Sequence, residues 1–112
     1  MEIKDQGKAS IGMDANVAAL LSYLLGFITG IVFYVLEKDN KFVRFNAMQS
    51  IVVFGFLFVL NVVARLLPGI GWAISAIVGV VSIILWIVLM IKAYQGEYLK
   101  LPVAGDIAEQ NS

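Results

Sequence analysis

The chain has 112 residues, of which 61% are hydrophobic and 14% charged, and its eight Lys and Arg balance its eight Asp and Glu. This composition lies far outside that of a water-soluble domain, and a net charge of zero gives the chain as a whole no attraction to nucleic acid. The sequence contains no Cys and no His, which excludes disulfides and removes the most common metal ligand and general base.

Three uncharged stretches then follow one another along the chain. Each is long enough, as a helix, to cross about 30 Å of hydrocarbon. The third stretch is interrupted near its start by "PGIG", which is typical of a turn. We therefore predict an all-α, integral membrane three-helix bundle. Its parts are a flexible N-terminal segment (1–13), a transmembrane domain (14–94) with helices over residues 14–36, 47–67 and 72–94, and a polar C-terminal tail (95–112).

Two other interpretations of the apolar stretches are weaker. A soluble helical protein needs a polar outer face on each helix, but residues 83–90 are apolar all the way round. A cleaved signal peptide needs small residues after its apolar region, whereas Glu37, Lys38 and Asp39 occupy that place. We expect the first stretch to be retained in the membrane.

Small residues recur at helical spacing in the first and third predicted helices. Such stripes let two helix backbones approach closely where lipid gives no hydrophobic drive for association. The positions are Ala18, Ser22, Gly26 and Gly30 in the first helix, and Ser75, Gly79 and Ser82 in the third. The spacing predicts helix packing, and leaves open whether the partner is the same chain or a second one.

The second predicted helix has a polar face, formed by Gln49, Ser50, Asn61 and Arg65. Polar groups inside hydrocarbon need partners, so this face is expected to form interhelical hydrogen bonds, with a conducting or binding path as the alternative. Three spans would place Asp14 and Arg65 on the same side of the membrane, which predicts an ion pair between them. The alternative for Asp14 is a helix N-cap.

Cations and aromatic residues predict how the chain sits in the membrane. Lys38, Lys41 and Arg44 form a basic loop, and with Lys92 and Lys100 they outnumber Lys4, Lys8 and Arg65 on the other side. Trp72 and Tyr94 are spaced to anchor the third helix at the two interfaces. Because cytoplasmic loops carry the excess of Lys and Arg, we predict a cell-membrane protein with its N-terminus outside and its C-terminus in the cytoplasm.

No pattern of catalytic residues stands out. The spans contain no paired carboxylates and no metal-ligand spacing, and their serines have no adjacent base. We therefore expect no enzyme activity, no cofactor and no metal site. The expected partners are the lipid bilayer and either a second copy of the chain or another membrane subunit, with no nucleic acid.

The stretch "EKDNKFVRFNAMQS", combined with the later "YQGEYLKLPVAGDIAE", resembles a family of small prokaryotic membrane proteins related to the Tic import component of the chloroplast inner envelope. The residues that carry this resemblance are Lys38, Phe42, Val43, Arg44, Ala47, Gln49, Ser50, Gly96, Lys100, Leu101, Pro102, Gly105, Asp106 and Ala108. The resemblance implies a multi-pass helical protein and, in the plastid relatives, a subunit of a protein-conducting channel. The chain departs from it in having three predicted spans instead of four, and Asn46 where His is frequent.

The sequence thus predicts a non-enzymatic membrane protein that serves as a structural or assembly subunit. The alternative is a subunit of a channel or a protein-translocation component. Such a channel would have to be oligomeric, because three helices are too few to enclose a pore.

Overall fold

The computed structural model describes residues 3–112, and in that range the protein is helical and contains no β-strand. Its helices in chain order are α1 (Ala15–Ser22), α2 (Phe27–Leu36), α3 (Lys41–Arg65), α4 (Gly71–Tyr94) and α5 (Ala104–Gln110). The predicted all-α fold class is confirmed.

The two long helices, α3 and α4, form the frame of the molecule. They have 25 and 24 residues and are the two described helices that are long and apolar enough to cross a membrane. They correspond to the second and third predicted helices, but α3 begins six residues earlier than expected. The cause is Asn40, whose side-chain oxygen accepts hydrogen bonds from the amides of Phe42 (3.0 Å) and Val43 (3.2 Å) and so caps the helix.

The first predicted span is divided into two short helices, so the prediction of one helix over residues 14–36 is wrong. α1 ends at Ser22, and Gly26 then adopts a φ of 63° that reverses the chain before α2 begins. With 8 and 10 residues, the two helices are about 12 and 15 Å long, each half of a membrane-spanning length. Three transmembrane helices are therefore not confirmed.

The α1–α2 pair is a hairpin whose two outer ends lie at the same end of the frame. Near the start of α1, the Asn16 amide donates to the carbonyl of Tyr94, at the end of α4. Near the end of α2, Arg44 of α3 donates to the carbonyl of Tyr34. The tip of the hairpin, at Tyr23–Gly26, lies halfway along the frame, where Gly26 faces Phe54 of α3. We call α1, α2 and the turn between them the N-terminal hairpin.

The tail also folds back along α3. After a turn at Gly96 (φ 77°), residues 97–103 run beside α3 as far as the level of Val53, where Ala104 joins the core. α5 then returns, and the carbonyl of Asn111 accepts a hydrogen bond from the Tyr34 hydroxyl. The tail is thus packed against α3 through Ala104, and Gly105 and Ala108 are buried with it.

The two ends of the frame differ in charge. The charged end holds the N-terminal segment, the α2–α3 loop and the tail, and the Lys4 amide there donates to the carbonyl of Gln95 (2.7 Å). The turn end holds the α3–α4 connection around Pro68. The cations of the charged end are Lys4, Lys8, Lys38, Lys41, Arg44, Lys92 and Lys100, which leaves Arg65 at the turn end. The prediction that the N-terminus and the Pro68 turn share a side is therefore wrong, because the first span turns back.

The core lies between the N-terminal hairpin, α3 and α4. Tyr23, Phe42, Leu89 and Ala93 are among its buried members. Most of the outer surface of the long helices is apolar and exposed, as at Phe56, Phe58, Leu66, Ile70, Ile77 and Ile83.

Candidate functional site

Polar side chains from α3 and α4 converge on the tip of the N-terminal hairpin. Interrupting a helix frees backbone carbonyls, and in an apolar environment each of these needs a donor. The Ser50 hydroxyl donates to the carbonyl of Gly26 (2.8 Å), and the Trp86 indole donates to that of Tyr23 (2.7 Å). Thr29 of α2 donates to the carbonyl of Ser22 (3.1 Å). Donors from three helices therefore stabilise the break.

A second set of buried polar groups connects the hairpin to α3. The Tyr23 hydroxyl donates to the side-chain oxygen of Asn46 (2.8 Å) and accepts from the Gln49 amide (3.1 Å). Asn46 in turn donates to the carbonyl of Phe42 (2.9 Å). No buried side-chain nitrogen or oxygen in residues 3–112 lacks a hydrogen-bond partner. The buried polar groups of this cluster therefore all form hydrogen bonds within the chain.

Gln49 joins this cluster to the tail. Its amide donates to the carbonyl of Leu99 (2.8 Å), and its oxygen accepts from the amide of Leu101 (3.0 Å). The side-chain amide of Gln49 therefore both donates to and accepts from the backbone of the extended tail. Tyr98 packs its ring against Phe42 at 4.9 Å. The two sequence stretches that carry the family resemblance therefore contact each other in the fold.

The charged end contains a buried carboxylate, Glu37, which was not among the residues predicted to be functional. It accepts hydrogen bonds from the Ser10 amide and hydroxyl (both 2.6 Å) and from the amides of Asp39 and Asn40 (3.0 and 2.9 Å). Burial alone would raise its pKa, but these hydrogen bonds outweigh burial and lower the pKa to about 2. Glu37 thus holds the N-terminal segment against the start of α3 as a carboxylate.

The segment predicted to be flexible makes further hydrogen bonds at the charged end. The side chain of Asn16 donates to the carbonyls of Lys4 (2.7 Å) and Tyr94 (2.9 Å), and accepts from the amide of Gln6 (3.0 Å). The side chain of Asn40 donates to the carbonyl of Gln6 (3.1 Å). These contacts connect the segment to α1, α4 and the start of α3.

The predicted polar face of the second helix is divided between two places. Gln49 and Ser50 are fully buried in the cluster just described. Near the turn end, the Asn61 amide donates to the carbonyl of Ser75 (3.2 Å), and Arg65 donates to the Ser75 hydroxyl (3.4 Å). Asn61 and Arg65 thus form hydrogen bonds between α3 and α4, whereas Gln49 and Ser50 bond to the hairpin turn and the tail.

The predicted ion pair between Asp14 and Arg65 does not form. Asp14 lies at the charged end, where its carboxylate pairs with Lys8 at 2.9 Å, and Arg65 lies at the turn end. Asp14 does occupy the N-cap position of α1, as the alternative predicts, but its side chain makes no capping hydrogen bond to the helix. The ion-pair prediction failed because it assumed that the first span crosses the whole frame.

The small-residue stripes have several roles in the fold. Ala18 and Ser22 are buried in α1, whereas Gly26 forms the break. Gly30 faces α3 so closely that an added Cβ would lie 2.9 Å from the Ala47 carbonyl oxygen. In α4, Ser75 contacts α3 as described above and Ser82 bonds to its own helix, but a Cβ at Gly79 would meet open space. The small residues of the first stripe thus pack against other parts of the same chain, whereas Gly79 contacts no neighbouring helix.

The basic loop and the aromatic anchors complete the predicted positions. Lys38 and Lys41 are exposed, whereas Arg44 donates to the carbonyls of Tyr34 and Glu37 and stacks on the Tyr34 ring at 4.2 Å. Arg44 therefore caps the end of α2. Trp72 (76% exposed) and Tyr94 (46% exposed) lie at opposite ends of α4. Residues 3–112 contain no group of three or more acidic residues close enough to hold a metal ion.

Two long apolar helices with a half-length hairpin define a small helical protein of the membrane class. Residues 8–108 match the magnetosome magnetite crystal formation (MamF/MmsF) family, and the chain belongs to this family. A UPF0132 membrane protein of Methanocaldococcus jannaschii is 56% identical over 106 residues, covering 95% of this chain and 96% of the relative. A UPF0132 membrane protein of Archaeoglobus fulgidus is 52% identical over 98 residues, covering 88% of this chain and 95% of the relative.

The comparisons confirm the coarser part of the predicted resemblance, because these relatives are small prokaryotic membrane proteins, here from archaea. None of the relatives found supports a relationship to the Tic component. No solved structure matches the chain.

Proposed function

We propose that this protein is a multi-pass membrane scaffold in which α3 and α4 cross the bilayer. The N-terminal hairpin enters from the charged end, reaches half depth and returns. The lengths support this arrangement, because 25 helical residues rise about 37 Å and cover the hydrocarbon, whereas α1 and α2 each cover about half of it. The exposed apolar side chains of the long helices then face lipid.

The charge distribution supports an orientation with both termini in the cytoplasm. Seven of the eight cations lie at the charged end and only Arg65 at the turn end. Cytoplasmic loops of membrane proteins carry the excess of Lys and Arg. This orientation replaces the predicted external N-terminus and follows from the reversal at Gly26.

The role proposed is that of a non-enzymatic structural or assembly subunit. The observation that carries this proposal is the use of every described buried polar side chain in hydrogen bonds that hold the chain together. Tyr23, Asn46, Gln49 and Ser50 fix the hairpin and the tail to α3 and leave no buried group available as a base or nucleophile. Such a core favours a rigid membrane scaffold over a reaction centre.

The family name refers to magnetite crystal formation. For this chain we infer a supporting role in a membrane assembly and not direct binding of mineral or metal. The described residues contain no acidic cluster that could make such a contact. A partner that does the chemistry would bind at the charged end, where Lys38, Lys41 and the tail are accessible.

A channel or translocation subunit is the second candidate. The tip of the N-terminal hairpin favours this function. Non-helical backbone at membrane depth occurs where protein or a water-filled path surrounds that backbone, and a water-filled path is what a channel has. The purified chain reconstituted in liposomes at rising protein-to-lipid ratio distinguishes the two functions. A scaffold leaves ion and peptide flux at the level of empty liposomes. Flux that increases steeply with the ratio would contradict the scaffold and support an oligomeric channel.

A further inference from the structure

An open wedge of about 480 Å³ lies below the tip of the N-terminal hairpin, toward the turn end. Because α1 and α2 turn back at half depth, only α3 and α4 continue into this half of the structure. The wedge is lined by Gly26, Phe58, Asn61, Arg65, Gly79 and Ser82, among others. Its floor on α4 is Gly79, where a Cβ would find nothing within 4 Å.

Arg65 stands at the outer edge of the wedge without a countercharge. Its Nε donates to the Ser75 hydroxyl, but its two terminal nitrogens have no hydrogen-bond partner in residues 3–112. The carboxylates that the structure describes are all in the N-terminal segment, the α2–α3 loop or the tail. An arginine with free terminal nitrogens at a membrane surface is complementary to a phosphate group, which accepts two parallel hydrogen bonds from it.

We propose that the wedge binds a phospholipid of the non-cytoplasmic leaflet. The headgroup phosphate lies on Arg65, and one acyl chain runs from there past Phe58 and Gly79 toward Gly26. From Arg65 to Phe58 is about 10 Å along α3, which places the phosphate at the surface and the chain in the apolar part of the wedge. The lipid fills the space that the half-length hairpin leaves open. This inference rests on the membrane arrangement proposed above.

Native mass spectrometry of the purified chain tests the site. Dioleoylphosphatidylglycerol is compared with a dioleoyl galactolipid, which has the same acyl chains but no phosphate. We expect one phosphatidylglycerol to bind in preference to the galactolipid, and Arg65→Gln to weaken that binding about tenfold, as loss of a charge-assisted hydrogen-bonded pair does. Gly79→Leu should abolish it by filling the wedge.

The matched control is Gly55→Leu. Gly55 also lies in a long helix and has nothing within 4 Å of an added Cβ, but it does not line the wedge. Unchanged binding in Arg65→Gln, or equal losses in Gly79→Leu and Gly55→Leu, would overturn the proposal. A disulfide dimer through Gly79→Cys in native membranes would also overturn it, because a second copy would then cover the wedge. A wrong membrane arrangement shows itself separately, by cysteine labelling from the two sides of the membrane.

Discussion

The hydroxyl of Ser50 donates a hydrogen bond to the carbonyl oxygen of Gly26, and this contact joins the middle of α3 to the break between α1 and α2. Gly26 gives the chain its reversal, and Ser50 supplies the shortest hydrogen bond to its carbonyl (2.8 Å). The half-length hairpin therefore depends on a residue 24 positions away along the chain.

Substitution Ser50→Ala should destabilise the fold by about 1 kcal/mol, because the half-buried Gly26 carbonyl loses its shortest hydrogen bond and keeps only longer ones from the Gly30 amide (3.4 Å) and the Thr29 hydroxyl (3.5 Å). The free energy of unfolding in mixed micelles measures the effect. Ser82→Ala is the matched control, since the Ser82 hydroxyl donates to the carbonyl of Val78 within its own helix. Equal losses in the two variants would show that the contact to Gly26 has no special role.

Substitution Gln49→Leu should loosen the tail. It removes the acceptor of the Leu101 amide and the donor to the Leu99 carbonyl, at a cost of about 1–2 kcal/mol for each buried group left unpaired. We expect hydrogen exchange across residues 97–110 to accelerate at least about tenfold, while α4 keeps its protection. Asn61→Leu, which removes an amide from the other half of α3, should leave tail exchange unchanged. Unaltered tail exchange in Gln49→Leu would contradict the proposed attachment.

Glu37 should make the stability of the fold fall in acid. Its pKa is about 2 in the folded protein against an ordinary 4.5, so between these values the unfolded chain binds more protons and stability rises with pH. The contribution, on the order of 3 kcal/mol, is present above about pH 4.5 and is lost progressively as the pH falls to 2.

Unfolding measured from pH 2 to 7 tests this, with Glu37→Gln for comparison. The variant should be less stable at neutral pH and should have a flatter pH profile. Parallel profiles for the two proteins would show that another group causes the acid sensitivity.

Substitution Gly30→Ala should separate α2 from α3. The new Cβ would lie 2.9 Å from the Ala47 carbonyl oxygen and 3.0 Å from the Ser50 hydroxyl, so the helices must move apart. We expect a loss of about 1–3 kcal/mol, as for other overpacked contacts. Gly79→Ala is the control and should be neutral or slightly stabilising, because its Cβ meets open space and alanine favours the helix. The reverse order of stabilities would contradict the assigned packing.

The long helices were predictable from sequence because their apolar runs are long and end at a turn and at charges. The helix start at Lys41 also had a local signal, the capping residue Asn40, which a prediction based on charge alone passed over. The polar face of α3 has hydrogen-bond partners in the hairpin turn, in the tail and on α4. This face is divided into two groups because the N-terminal hairpin covers only half the length of α3. The spacing of the polar residues on α3 does not reveal the length of the hairpin.

The reversal at Gly26 could not be predicted from the uncharged run alone. A run of 22 uncharged residues has the same composition whether it spans the membrane once or enters and returns, and Gly26 with Gly30 resembles a packing motif. The partners that satisfy the break, Ser50 and Trp86, are distant in sequence. Tyr23 and Thr29 inside the run were the available signals. The packing of the tail was missed because its charged residues suggested a solvent-exposed segment, although the tail also contains the buried small residues Ala104, Gly105 and Ala108.

Cysteine labelling from the two sides of the membrane tests the half-length hairpin most directly, and the chain suits it because it has no native Cys. Single cysteines replace the exposed residues Asp5, Asp39, Gln110 and Pro68, and an impermeant maleimide is applied to intact cells and to inverted vesicles. The proposed arrangement predicts that Pro68→Cys is labelled from outside and that the other three are labelled only from the cytoplasmic side. Labelling of Asp5→Cys together with Pro68→Cys from outside would mean that the first apolar segment crosses the membrane, and would contradict the account.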